Sequence, residues 1–130
     1  RGTVIKNDET YRLDSDMTLR AVPAYNIRPG RRDLHPKGVG NGYLLDLDGF
    51  RIYISGDTEL IPEMRKIKNV DVAFLPCDSA HTMNLKELRQ AAALIRPKVL
   101  YPYHMALTPP DSIRRVLSGL GIDVRMRDLR

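Results

Sequence analysis

Tryptophan is absent from this chain, phenylalanine occurs twice, cysteine once and histidine three times. With Cys77 alone no internal disulfide can form, and a single thiol suits a reducing compartment; the expectation is a cytoplasmic protein. No apolar run approaches the roughly 20 residues of a membrane span, and no secretory apolar segment is visible. The scarcity of aromatics also weakens a nucleic-acid reading, because single strands are gripped by bases stacking on aromatic rings between basic residues. The chain is basic, with 21 Lys and Arg against 16 Asp and Glu and a net charge of +5. Those charges, Arg28, Arg31, Arg65, Lys66, Arg114 and Arg125 among them, are dispersed rather than striped. Dispersed charge reads as a solvated surface.

The chain does hold enough apolar residues for a core, 42% of 130, in a length that fits one domain spanning 1–130. Strand and helix patterns alternate. Thr3 to Lys6, Leu19 to Tyr25, Val70 to Pro76, Val99 to Tyr103 and Asp123 to Met126 read as strands. Gly42 to Asp46 and Phe50 to Ser55 read as a hairpin about Asp48-Gly49, a strong turn signal. Ile61 to Ile67 is predicted as a short helix with Pro62 in its first turn. Asn84 and Glu87 have the spacing of a capping box, followed by Leu85, Leu88, Ala91, Ala92 and Ile95 at helical period. Pro110-Asp111 opens a last helix, with Gly121 as its stop. Asn26 to Asn41 is a loop rich in Gly, Pro and Arg. The fold class is therefore α/β with a mixed sheet flanked by helices.

Two strand ends carry chemistry. Arg51 to Ile54 runs into Ser55-Gly56-Asp57-Thr58, and Val99 to Tyr103 runs into His104. A carboxylate beside a glycine can approach a metal closely, and imidazole is the commonest nitrogen ligand for zinc and similar ions. Asp57 could equally cap the following turn, and His104 could be a hydrogen-bonded structural residue. His35 enters a loop with Gly38, Gly40 and Gly42; no GK[ST] ending follows, which excludes a phosphate loop. His81 lies between the apolar strand and the capped helix, as a surface residue or a substrate-side one. Cys77 reads as a small buried hydrophobe rather than a nucleophile. Ser79 with His81 lacks the G-x-S-x-G turn of a serine hydrolase.

Taken in order, Ala24-Tyr25-Asn26, His35-Pro36-Lys37-Gly38, Gly56-Asp57-Thr58-Glu59, Pro62-Glu63-Met64, Val70 to Pro76, Thr82-Met83 and Pro102-Tyr103-His104 resemble the metallo-β-lactamase-fold hydrolases. Within them the L-ascorbate-6-phosphate lactonase-like branch is the most similar. The resemblance implies an αββα sandwich with one or two divalent metals, zinc or manganese, at the strand ends. It implies that Asp57 bridges metals, that His104 binds one and that His35 binds the other, with Asn26 standing near the place where some relatives carry that histidine. Asp57 and His104 would be catalytic, and metal-bound hydroxide would attack a phosphoester, lactone or amide.

The family's H-x-H-x-D-H motif is absent, and the chain resembles only the C-terminal half of that fold. This reading expects a complementary N-terminal half or a homo-oligomer to cover an apolar sheet face, and a small-molecule substrate. The alternatives are a non-catalytic self-associating or protein-binding half-fold, and a basic nucleic-acid-binding domain. The chain begins with Arg1 rather than methionine, which suggests a processed chain or a fragment.

Overall fold

A computed structural model describes residues 2–129. Its seven strands form one sheet in sequence order: β1 Thr10–Arg12, β2 Met17–Ala24, β3 Gly40–Leu47, β4 Phe50–Ile54, β5 Val72–Pro76, β6 Val99–Tyr103 and β7 Asp123–Val124. β1 to β4 are antiparallel neighbours, and β4 to β7 run parallel. The sheet is thus mixed, as the alternating pattern implied. Parallel neighbours need crossovers. These are the short 3-10 helix Pro62–Lys66, helix α1 Leu85–Ile95 and helix α2 Pro110–Leu117.

Local chemistry explains most boundaries. Asn84 accepts from the Glu87 N–H and Glu87 accepts from the Asn84 N–H, so the capping box at α1 is complete. Asp48 and Gly49 both take positive φ, 51° and 85°, as a two-residue turn matched to strand twist demands. The segment Ile61 to Ile67 winds as a 3-10 turn rather than an α-helix, too short to reward the wider winding. Thr3 to Lys6 is not a strand; the first strand is the exposed Thr10–Arg12, which pairs with β2 and has no apolar alternation to announce it. α2 ends at Leu117, before Gly121, because Ser118 is already extended, with ψ 148°. Asp123 to Met126 is extended only as far as Val124.

Residues opposite one another across a ladder share a face of the sheet. Leu44, Tyr53, Ala73 and Leu100 make one such row, and all are buried. They meet Leu88, Ala92 and Ile95 of α1 and Ile113 and Leu117 of α2 in a single core. The adjacent row, Tyr43, Ile54, Phe74 and Tyr101, lies on the opposite face. No helix residue joins it in a buried cluster, and Ile54 is 38% exposed. Phe74 and Tyr101 stack there with ring centroids 5.1 Å apart. Both faces of the central strands are therefore apolar, the pattern of strands meant to be covered on both sides, but the described residues cover only one with helices. No helix among the described residues is long and apolar enough to cross a membrane.

Candidate functional site

Parallel strands end at a common edge, and three of this chain's chemical groups stand just past it. Asp57 follows β4, Asp78 follows β5 and His104 follows β6 directly. Glycine makes the first of these turns possible. Gly56 has φ of 70°, and a Cβ there would lie 2.7 Å from the Asn41 carbonyl oxygen. Gly42, on β3 beside it, would place a Cβ 2.5 Å from the Ser55 carbonyl oxygen. The obstacle is backbone, which cannot move aside as a flexible side chain would. Gly42→Ala is expected to cost about 1–3 kcal/mol through overpacking, read as a lowered urea midpoint at unchanged slope. His104 itself is left-handed, with φ of 47°, a conformation uncommon outside glycine and concentrated at functional sites.

Asp57 is the hub. His104 Nδ1 lies 2.9 Å from Asp57 Oδ1, and His35 Nε2 lies 3.6 Å from Asp57 Oδ2. Asp78 extends the group: its Oδ2 is 2.6 Å from His81 Nδ1 and 3.7 Å from His104 Nε2. Asn26, 2% exposed, is tied to the remaining members. It donates to the His81 carbonyl at 2.8 Å, and its Oδ1 is 3.2 Å from His35 Nδ1. The sequence candidates Asp57, His104, His35, His81 and Asn26 thus meet in one place.

The hydrogen-bond roles follow from what each group can do. An ionised carboxylate only accepts, so His104 Nδ1 donates to Asp57 and His81 Nδ1 donates to Asp78. Asn26 spends its amide on His81, so its oxygen accepts from His35 Nδ1. In the neutral rings this leaves the lone pair of His35 Nε2 facing Asp57, and that of His104 Nε2 facing Asp78. Acceptor faces acceptor across 3.6 Å and 3.7 Å. Each gap calls for a positive charge, either a proton on the imidazole or a cation between the pair. Nitrogen and carboxylate donors of this kind suit zinc, manganese and iron. Among the described residues, however, no three His, Cys, Asp or Glu side chains group in a way that could hold a metal ion. The donor type fits a metal; the number of converging donors falls short.

Asp78 was not singled out from sequence, although it stands at a strand end as Asp57 does. Burial pushes its carboxyl up, but hydrogen bonds from His81 and the Ala80 N–H, with His104 nearby, outweigh that and hold it below the usual range. Next to it, Cys77 is fully buried, and burial followed by the Asp78 charge pushes its thiol up to about 12. A thiol so protonated at neutral pH is no nucleophile. Tyr103, before His104, is likewise pushed up to about 12, by burial first, with the Asp57 charge adding to it.

Behind this group lies a buried ionic support. Glu59 is 0% exposed and accepts from the Ile27 N–H at 2.9 Å, the Arg28 N–H at 2.8 Å and Arg28 Nε at 2.6 Å. Arg28 goes on to the Thr82 carbonyl at 2.9 Å and to Glu87 of the capping box at 3.4 Å. Thr58, also fully buried, accepts from the Tyr25 N–H at 3.1 Å. The turn carrying Asp57, the loop carrying His35 and the start of α1 are therefore locked together.

A profile of the beta-lactamase superfamily domain matches residues 1–104. The chain belongs to that superfamily. The span of the match takes in Asn26, His35, Asp57, Asp78, His81 and His104, the whole strand-end group. Among its relatives, a metal-dependent hydrolase of Archaeoglobus fulgidus is 31% identical over 121 residues, covering 85% of this chain and 52% of the relative. A solved structure from Parabacteroides distasonis, described as a candidate metal-dependent hydrolase, superposes with a TM-score of 0.95 at 47% identity, covering 100% of this chain and 59% of that one. The metallo-beta-lactamase fold protein YhfI of Bacillus subtilis shares the fold, with a TM-score of 0.76 at 13% identity. The chain spans about half the length of the curated relatives it matches.

Proposed function

We propose that this chain is the C-terminal half of a metallo-hydrolase of the beta-lactamase superfamily, supplying part of a divalent-metal site that an H-x-H-x-D-H-bearing half completes. The observation that carries this reading is the convergence of His35 and His104 on Asp57, with bare imidazole nitrogens facing carboxylates at 3.6 Å and 3.7 Å. The metal-dependent hydrolase names of relatives support it from outside, and zinc or manganese is the metal this reading names. A metal bound there would act as a Lewis acid and lower the pKa of water.

The chain's own residues do the rest. Asp57 fixes the His104 ring through its Nδ1–H and leaves Nε2 as the ligating nitrogen. Asn26 does the same for His35, and such partners to a ligating histidine set both tautomer and ring orientation. Asp78 holds His81 through Nδ1 at the rim, 56% exposed, where its Nε2 can meet a substrate and give or take a proton. The substrate is a phosphoester, lactone or amide, and a lactonase of the sugar-phosphate type is the branch this reading names. The apolar row Tyr43, Ile54, Phe74 and Tyr101 is the face that the second layer covers.

Metal content by mass spectrometry tests the proposal. The chain joined to, or co-expressed with, the H-x-H-x-D-H half is expected to retain stoichiometric zinc or manganese after desalting. A metal-free complex would sink it. Should the chain by itself self-associate through the open sheet face and the joined protein bind no metal, the non-catalytic half-fold becomes the better reading.

A further inference from the structure

The helix side of the sheet carries a cavity of about 240 Å³ between β2 to β4 and the 3-10 helix Pro62–Lys66. None of the strand-end residues lines it. Its lining is mixed: Val22, Leu44, Tyr53, Met64 and Ile67 form the apolar part, and Arg20, Arg51 and Lys66 stand around it. Two carboxylates also line it, and both are already engaged: Glu63 accepts from the Tyr25 hydroxyl at 2.9 Å, and Asp8 sits 3.5 Å from Arg20.

The cations hold unspent donors. Lys66 has no hydrogen bond or ion pair among the described residues, and Arg20 reaches only Asp8. Arg51 spends Nη1 on the Lys68 carbonyl at 2.7 Å, while its Nε is buried with no hydrogen-bond partner and has Asp46 only at 3.8 Å. A buried N–H left without an acceptor is rare and costly. Arg51 thus keeps one buried N–H without an acceptor, beside Lys66, which is unpaired among the described residues, and Arg20, whose one partner is Asp8.

We infer that this cavity binds a small organic anion, an oxyanion head on a short aliphatic body, with the head on Arg20, Arg51 and Lys66 and the body against Leu44, Met64 and Ile67. The volume lies just under the range of ordinary ligand pockets, which limits the guest to a few carbon atoms beyond its head group. The site is separate from the strand-end group and needs no metal.

Titrations of the full chain by NMR and calorimetry test this, with hexanoate and hexyl phosphate as the carboxylate and phosphate arms and inorganic phosphate as the headgroup alone. At least one hexyl ligand is expected to bind saturably, shifting Met64 and Ile67 resonances, and at least 10-fold tighter than inorganic phosphate. Lys66→Ala and Arg20→Ala, both at exposed positions that leave the core intact, are each expected to weaken it several-fold. Asp57→Asn is expected to leave it unchanged. The inference is overturned if neither hexyl ligand saturates, if phosphate binds as tightly, if both cation variants bind like the parent, or if Asp57→Asn abolishes binding.

Discussion

Glu59→Ala is expected to bring the chain to the edge of unfolding. Arg28 is 30% exposed and keeps Glu87 at 3.4 Å, so the cost is that of the lost hydrogen bonds to a charged, buried acceptor, about 1.5–3 kcal/mol each, against the roughly 5–15 kcal/mol that holds a domain together. Here the loss also strands the Ile27 and Arg28 N–H groups, both of which donate to Glu59 at under 3 Å. Chemical denaturation at neutral pH reads the effect directly; a midpoint close to the parent's would show that the network contributes little. The same carboxylate makes stability fall in acid. Burial pushes the Glu59 carboxyl up, but the backbone bonds from Arg28 and Ile27 and the Arg28 guanidinium outweigh it and hold it below the ordinary range. The native chain therefore binds this proton less readily than the unfolded one. Its contribution is complete above the usual glutamate value of about 4.3 and is lost as pH falls through the lower native one. Glu59→Gln is expected to flatten that part of the acid slope even though it destabilises the chain at pH 7.

Asp57→Ala is expected to have the larger effect on function and a smaller one on folding. Residues that merely support metal ligands are worth about 10–100-fold in affinity or activity; loss of the group on which two histidines converge is expected to exceed that. The side chain is 40% exposed, so its removal opens no cavity in the core. The joined protein is expected to lose metal stoichiometry and hydrolysis together while keeping its denaturation midpoint within about 1 kcal/mol, as for a surface substitution. Retained metal at parental stoichiometry would remove Asp57 from the ligand set. Asp78→Asn keeps the shape but gives up the charge that faces His81 Nδ1 and His104 Nε2, so weaker metal retention together with reduced turnover is the expected pattern.

Much of the fold was legible because it rests on neighbours in sequence. The capping box of Asn84 and Glu87 needs residues three apart, and the Asp48-Gly49 turn needs two adjacent ones. Val99–Tyr103 is a strand with the bounds its pattern gives. β1 was not legible, since Thr10, Tyr11 and Arg12 are all exposed and owe their strand to pairing with β2. Arg28 was read among the dispersed surface charges; it is instead bound to Glu59, 31 residues away, a contact that no local pattern encodes. Asp78 escaped for a related reason: a carboxylate beside His81 in one loop acquires its meaning only when His104, from another strand end, faces it as well.

The sequence by itself determined the α/β class, the family resemblance and the strand-end placement of Asp57 and His104, because each depends on residue type and short-range order. The tertiary structure decided which groups meet. It brought His35 to Asp57 from the loop between β2 and β3, with Asn26 behind it, added Asp78, and aligned the ends of β4, β5 and β6 at one edge. Parallel pairing sets that edge, and parallel pairing is a long-range choice made by burial of the row from Leu44 to Leu100 beneath α1 and α2.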